Sequence, residues 1–177
     1  MENPKSFRIM LVEDSATSAE LTRCWLEGGL RTEFILHRAP RLSSAMELLQ
    51  RKEVDLTILD LNLPDSLGLD TFRSIYAQDR NVPIVILSSE LDEELALDAV
   101  RMGAQDYVVK ENGVKNPLAR PVLFAWERFQ RFRAEAALRD LRSFTAGAKG
   151  RGGRHQEQGR DPEMGVVAST SDPKPTR

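Results

Sequence analysis

Apolar runs and amphipathic stretches alternate along the first 113 residues. Phe7-Arg8-Ile9-Met10-Leu11-Val12 is a first apolar run and stops at Glu13-Asp14. Ser15 is placed to cap a helix in which Ala19, Leu21, Cys24, Trp25 and Leu26 recur with helical period until Gly28-Gly29. Thr32 to Leu36 reads as a short strand rich in β-formers. Arg41 to Lys52 reads as a helix with Leu42, Ala45, Met46, Leu48 and Leu49 toward the core. Leu56-Thr57-Ile58-Leu59 then runs straight into Asp60, ahead of a loop punctuated by Pro64 and Gly68.

Leu69 to Gln78 is a third helix, closed by Asp79-Arg80-Asn81. Val82 to Leu87 is the purest apolar strand and ends at Ser88-Ser89. A helix over Asp92 to Met102 is capped by Gly103, and Asp106 to Val109 is a fifth strand ending at Lys110. A last helical pattern starts near Pro117, since proline suits a first helical turn. Strands that alternate with helices predict βαβ units and a parallel sheet. Several strands are apolar throughout, as expected when helices cover both faces. The fold class is therefore α/β, a five-stranded parallel sheet with helices on both faces.

The last helical pattern is long. Val122, Trp126, Phe129, Phe132 and Ala136 form one stripe, continued by Ala134, Leu138 and Leu141, while Arg120, Arg128, Arg131, Arg133, Arg139 and Arg142 line the other faces. Helical to Ser143, it would run roughly 40 Å at 1.5 Å per residue. Its first half is expected to pack on the sheet. Its second half, residues 133–144, is expected to project, where it can pair with a second copy or a partner helix. Residues 145–177 are rich in Gly, Arg and Pro and poor in large apolar residues, so they are expected to be a disordered tail. That tail is too short and too polar for a helix-turn-helix DNA-binding domain, and a solubilising role is favoured over nucleic-acid contact.

Charge follows the same division. Residues 1–113 carry 12 Lys/Arg against 20 Asp/Glu, residues 114–144 carry 7 against 3, and residues 145–177 carry 6 against 4. An acidic body thus bears a basic extension. An apolar fraction of 41% can bury a core. A single cysteine, Cys24, excludes an internal disulfide and suits a reducing cytoplasm. It is read as core, on the apolar side of the first helix. No apolar run has signal-peptide or membrane-span length, so a soluble, cytoplasmic protein without a membrane partner is expected.

The reactive residues gather at the carboxyl ends of the strands: Glu13-Asp14, Asp60, Ser88 and Lys110. In an open α/β sheet, ligands bind at that edge. Crowded carboxylates repel one another, which raises their pKa values or recruits a cation, and oxygen-only ligands with room for water suit Mg²⁺. A metal, a carboxylate nucleophile, a lysine and a hydroxyl around one crevice make a phosphoryl-transfer site, with Asp60 as the nucleophile. Asp55, Asp65 and Asp70 read instead as strand-start, turn and helix-capping residues. His37 and His155 have no partners at ligand spacing.

On these residues the chain from about Phe7 to Phe132 resembles the receiver domain of bacterial two-component response regulators, the CheY-like fold. Tyr107, the Pro64 to Gly68 loop and the Gly103-Ala104 turn complete the match. The resemblance implies a flavodoxin-like sheet of strand order 2-1-3-4-5 and makes Asp60 the phospho-acceptor. It implies Mg²⁺ held by Asp14, Asp60 and the backbone carbonyl of Asn62, with Glu13 acting through water. It makes Ser88 and Tyr107 a switch pair and Lys110 the phosphate partner. Asn62 and Glu90 occupy the positions that tune phosphate loss, a pairing similar to that of the chemotaxis receiver, which implies rapid self-dephosphorylation. One departure is Glu111, where receivers usually have a proline after the lysine, commonly through a cis bond. A cis bond without proline costs about 3–4 kcal/mol.

The expectation is a stand-alone receiver that takes phosphate from a histidine kinase or phosphotransfer protein. It would catalyse only its own phosphorylation and dephosphorylation, and signal to a downstream protein through the face of the fourth helix, fifth strand and last helix. Two rivals are a nucleic-acid regulator working through the basic extension and a phosphorylation-independent scaffold assembling, for example as a homodimer, through the last helix.

Overall fold

The computed structural model describes residues 7–89, 92–110 and 116–149. Each apolar run forms a strand and each amphipathic stretch a helix. In chain order these are β1 (Phe7–Val12), α1 (Ala16–Gly29), β2 (Phe34–Ala39), α2 (Leu42–Gln50), β3 (Leu56–Leu59), β4 (Asn62–Leu63), β5 (Ser66–Leu67), α3 (Gly68–Gln78), β6 (Ile84–Ser88), α4 (Glu93–Met102), β7 (Asp106–Val109) and α5 (Ala119–Lys149). The chain divides into two units, Met1–Ala137 and Leu138–Arg177. The boundary lies a few residues beyond the expected end of the receiver-like region at 132.

Five strands pair in parallel in the order β2-β1-β3-β6-β7. Counting these five alone, the order is 2-1-3-4-5, the flavodoxin-like winding. Successive residues of a strand face opposite sides of the sheet, so two cores form. Met10, Val12, Leu59, Ile84 and Ile86 pack with Ala45, Leu49, Phe72, Ile75 and Ala99 from α2, α3 and α4. On the other face Ile9, Leu11, Ile58, Val85 and Leu87 pack with Ala19, Leu26, Val122 and Ala125 from α1 and α5.

Local signals hold the helix ends. The Ser15 hydroxyl accepts from the Ser18 amide (3.2 Å), and the Asp92 carboxylate accepts from the Leu95 amide (3.0 Å). Gly103 ends α4 at φ +117°, and a Cβ there would stand 2.9 Å from the Tyr76 ring. α5 begins two residues after Pro117, behind Asn116, whose side-chain oxygen accepts from the Ala119 amide (3.0 Å).

Four expectations change. β2 lies at Phe34–Ala39, not Thr32 to Leu36, because it pairs residue for residue with β1, Phe7 opposite Phe34 through Val12 opposite Ala39. Cys24 is exposed, not core. The buried side of α1 is Ala19, Thr22 and Leu26, and two residues from Leu26 is about 200° around the helix at 3.6 residues per turn. Phe132 is 63% exposed, whereas Leu118, Val122, Ala125 and Phe129 are buried; the stripe meets the sheet only as far as Phe129. α5 also continues past Ser143 to Lys149, taking Thr145 to Lys149 out of the expected tail, consistent with the helix-forming Ala146 and Ala148. The rest of that tail lies outside the described residues, as do Glu90 and Glu111.

Candidate functional site

β1 and β3 pair in register to Val12 opposite Leu59, so the next residues, Glu13 and Asp60, emerge side by side. The ladder runs one step further: the Glu13 amide donates to the Ala39 carbonyl (3.0 Å) and the Asp60 amide to the Val12 carbonyl (2.9 Å). On the other side Ser88 pairs with Val109, and the Lys110 amide donates to the Ser88 carbonyl (2.7 Å). Largely apolar strands thus deliver an acid, an acid, a hydroxyl and an amine to one edge of the sheet.

Three of these side chains meet. The Lys110 ammonium donates to Oδ2 of Asp60 (2.5 Å) and to Oε2 of Glu13 (2.6 Å). The second oxygen of each carboxylate is also held. Oδ1 of Asp60 accepts from the Asn62 amide (2.9 Å) and Oε1 of Glu13 from the Ser15 amide (3.1 Å). All three residues are largely removed from water: Glu13 is 1% exposed, Asp60 9%, and the Lys110 side chain 13%. Ser88 is buried at the same rim.

Burial pushes the Glu13 carboxyl above its ordinary range, against the pull of Lys110 and the Ser15 amide. Burial also works to lower Lys110, but its bonds to Asp60 and Glu13 outweigh that and hold the ammonium above the usual lysine value. Two acids share one base here, and their carboxylate oxygens line the edge where a cation would bind.

Asp14 sits beside Glu13 and is exposed, while its backbone carbonyl accepts from Nη2 of Arg38 (2.6 Å). Nε of the same arginine donates to the Glu13 carbonyl (3.2 Å). Asn62 lies two residues beyond Asp60, in a small antiparallel hairpin of β4 and β5 that the sequence pattern does not announce. Thr71 braces that loop, its hydroxyl bonded to the Leu61 carbonyl (3.0 Å) and the Ser66 hydroxyl (2.8 Å). Asp65, read as a turn residue, also caps α2 from outside it, accepting from the Leu42 (2.8 Å) and Ser43 (3.1 Å) amides. Tyr107 is half-buried in β7, opposite Ile86, and packs on the core that α2, α3 and α4 cover. Arg38 escaped the sequence reading because a polar residue on an outer strand carries no periodic signal.

The donor set is entirely oxygen. Among the described residues no three His, Cys, Asp or Glu side chains converge as a metal cage. One or two carboxylates, a backbone carbonyl and water make the environment Mg²⁺ takes, so the residues fit that ion. A cavity of about 640 Å³, lined by Phe7, Arg8, Val54 and Trp126 among others, lies at the opposite ends of the strands. Among the described residues no helix is long and apolar enough to cross a membrane.

The family described as response regulator receiver domain matches residues 9–119. The chain is similar to the regulatory protein LuxO of Vibrio cholerae, 34% identical over 100 residues, covering 56% of this chain and 21% of that protein. It is likewise similar to the DNA-binding response regulator MtrA of Mycobacterium leprae, 36% identical over 114 residues, covering 64% of this chain and 48% of that protein. The chain thus spans less than half of either relative. Among solved structures, the signal receiver domain of a putative LuxO repressor protein from Vibrio parahaemolyticus superposes with a TM-score of 0.64 at 25% identity, over 73% of this chain and 96% of that one. By its fold and by this match, the chain belongs to the response regulator receiver domain family.

Proposed function

We propose that this protein is a phosphorylation switch whose Asp60 accepts a phosphoryl group from a histidine kinase or phosphotransfer protein in the cytoplasm. The observation that carries the reading is the junction of Lys110 with both Asp60 and Glu13 at the carboxyl ends of three strands. Asp60 attacks phosphorus through one carboxylate oxygen, forming an O–P bond as the P–N bond to the donor histidine breaks and that nitrogen takes a proton. Lys110, already on Oδ2 of Asp60, offers its ammonium to the phosphoryl oxygens, and Ser88 donates a hydrogen bond to one of them. Mg²⁺, when bound through Asp14, Asp60 and the Asn62 carbonyl with Glu13 behind a water, supplies charge neutralisation to the transferred group. Asn62 and Glu90 set the rate of phosphate loss, which is rapid, and the protein catalyses only its own phosphorylation and dephosphorylation.

The signal leaves through Ser88 and Tyr107. Drawing Ser88 toward the phosphoryl group lets Tyr107 turn inward and shifts the population of the α4-β7-α5 surface toward one that a downstream protein binds. Exposed Leu97 (56%) and Val100 (49%) on α4 support a protein contact there, and exposed Phe132 on α5 supports pairing of two copies. On this reading residues 7–132 are the receiver domain, residues 133–144 the part of the last helix available for pairing, and nucleic acid and membrane are not partners.

Incubation with acetyl phosphate and Mg²⁺, followed by intact mass and size-exclusion measurements, tests the proposal. The expected result is one added phosphoryl group that requires Mg²⁺ and is absent from Asp60→Asn. Uptake by Asp60→Asn equal to that of the wild type would refute it.

A further inference from the structure

We infer that Arg38 is a positioning residue for the acid pair Glu13-Asp14, an inference that rests on reading this crevice as a Mg²⁺ and phosphoryl site. Arg38 stands on β2, the outer strand, opposite Leu11 of β1. Its guanidinium reaches over the end of β1 and donates from two nitrogens to two successive carbonyls, Nε to Glu13 (3.2 Å) and Nη2 to Asp14 (2.6 Å). The neighbouring Ala39 carbonyl takes the Glu13 amide. β2 therefore fixes the Glu13-Asp14 backbone at three points, two of them supplied by a single side chain. A planar fork can span two adjacent carbonyls, whereas a lysine ammonium is a point donor on a flexible stem.

This matters because the two acids are held differently. The Glu13 carboxylate is anchored by Lys110 and the Ser15 amide, but the Asp14 carboxylate is exposed. Its direction follows from the backbone that Arg38 holds. Groups behind metal ligands commonly set ligand geometry in this way.

Charge and position predict opposite effects. A cation beside the site repels a dication, so on charge alone removing Arg38 tightens Mg²⁺ binding. As a positioning residue its removal loosens the acid pair and weakens Mg²⁺ binding. The test is calorimetric titration of Mg²⁺ into the unphosphorylated full chain for wild type, Arg38→Ala and Arg38→Lys. It is run alongside initial rates of acetyl phosphate uptake across Mg²⁺ concentrations and far-UV circular dichroism without metal.

Arg38→Ala is expected to fold as the wild type does and to bind Mg²⁺ roughly tenfold more weakly, the lower end of what loss of such a support does. Its rate at saturating Mg²⁺ should return to within about twofold of wild type, because the loss lies in binding. Arg38→Lys should fall between the two. Unchanged or tighter Mg²⁺ binding by Arg38→Ala, or a lost rate that Mg²⁺ does not restore, overturns the inference and leaves the phosphorylation reading intact. A wild type that binds no Mg²⁺ and takes no phosphoryl group overturns both.

Discussion

The ammonium of Lys110 stands 2.5 Å from Oδ2 of Asp60, although 50 residues separate them in the chain. The same nitrogen is 2.6 Å from Glu13, so one base serves two buried acids. An unequal response to substitution follows. Lys110→Met leaves two buried carboxylates facing each other and should destabilise by about 2–4 kcal/mol, somewhat below a fully buried pair because Lys110 keeps some solvent contact. Asp60→Asn leaves a one-to-one pair of Glu13 and Lys110 and should shift stability by no more than about 1 kcal/mol. Urea denaturation without divalent ions measures both, and equal losses would contradict the shared-base arrangement.

Asp65 ties the loop after Asp60 to the start of α2. Desolvation pushes its carboxylate up, but the hydrogen bonds from the Leu42 and Ser43 amides together outweigh that and hold it below the usual aspartate value. A carboxylate depressed by folding contributes stability that is present above its unfolded value of about 3.8 and is lost as pH falls through the lower folded value. Asp65→Ala should therefore unfold at lower temperature than wild type at pH 7, and the gap should close as pH drops below 3.8. Thermal melts across that range check it; a constant gap would contradict the cap.

Far from the acid cluster, Asp55 accepts three hydrogen bonds from Arg8: the backbone amide (3.0 Å), Nε (3.0 Å) and Nη2 (2.9 Å). Both side chains keep partial solvent access, 28% and 22%. Asp55→Ala should cost about 1–2 kcal/mol in urea denaturation, less than a fully buried charged network. Acetyl phosphate uptake, measured by mass, should be unchanged. Loss of uptake in a variant that is still folded would mean the two ends of the sheet are coupled.

Two glycines should respond oppositely. Gly103→Ala places a Cβ 2.9 Å from Tyr76 at φ +117° and should destabilise by roughly 1–3 kcal/mol. Gly28, in the last turn of α1, has nothing within 4 Å of the point where a Cβ would stand, so Gly28→Ala should stabilise by roughly 0.5–1 kcal/mol. Urea midpoints of the two variants settle the sign of each.

Much of this was legible in the chain because the strands are nearly pure apolar runs. Leu56 to Leu59 ending at Asp60, and Ile84 to Leu87 ending at Ser88, announce both the element and the residue it delivers. What the pattern missed arises from pairing between distant segments. The position of β2 is set by β1 across the sheet, the role of Arg38 by where its side chain lands, and the second role of Asp65 by the approach of α2. Cys24 shows the limit of periodicity: α1 has apolar residues on more than one side, and only the sheet decides which side is buried.

The most direct measurement locates the phosphoryl group. The 177-residue chain is phosphorylated with acetyl phosphate and Mg²⁺, trapped with borohydride, digested and mapped by mass spectrometry. A single reduced site is expected at Asp60, absent without Mg²⁺ and absent from Asp60→Asn. Modification at another residue, or no modification of a folded wild type, would contradict it.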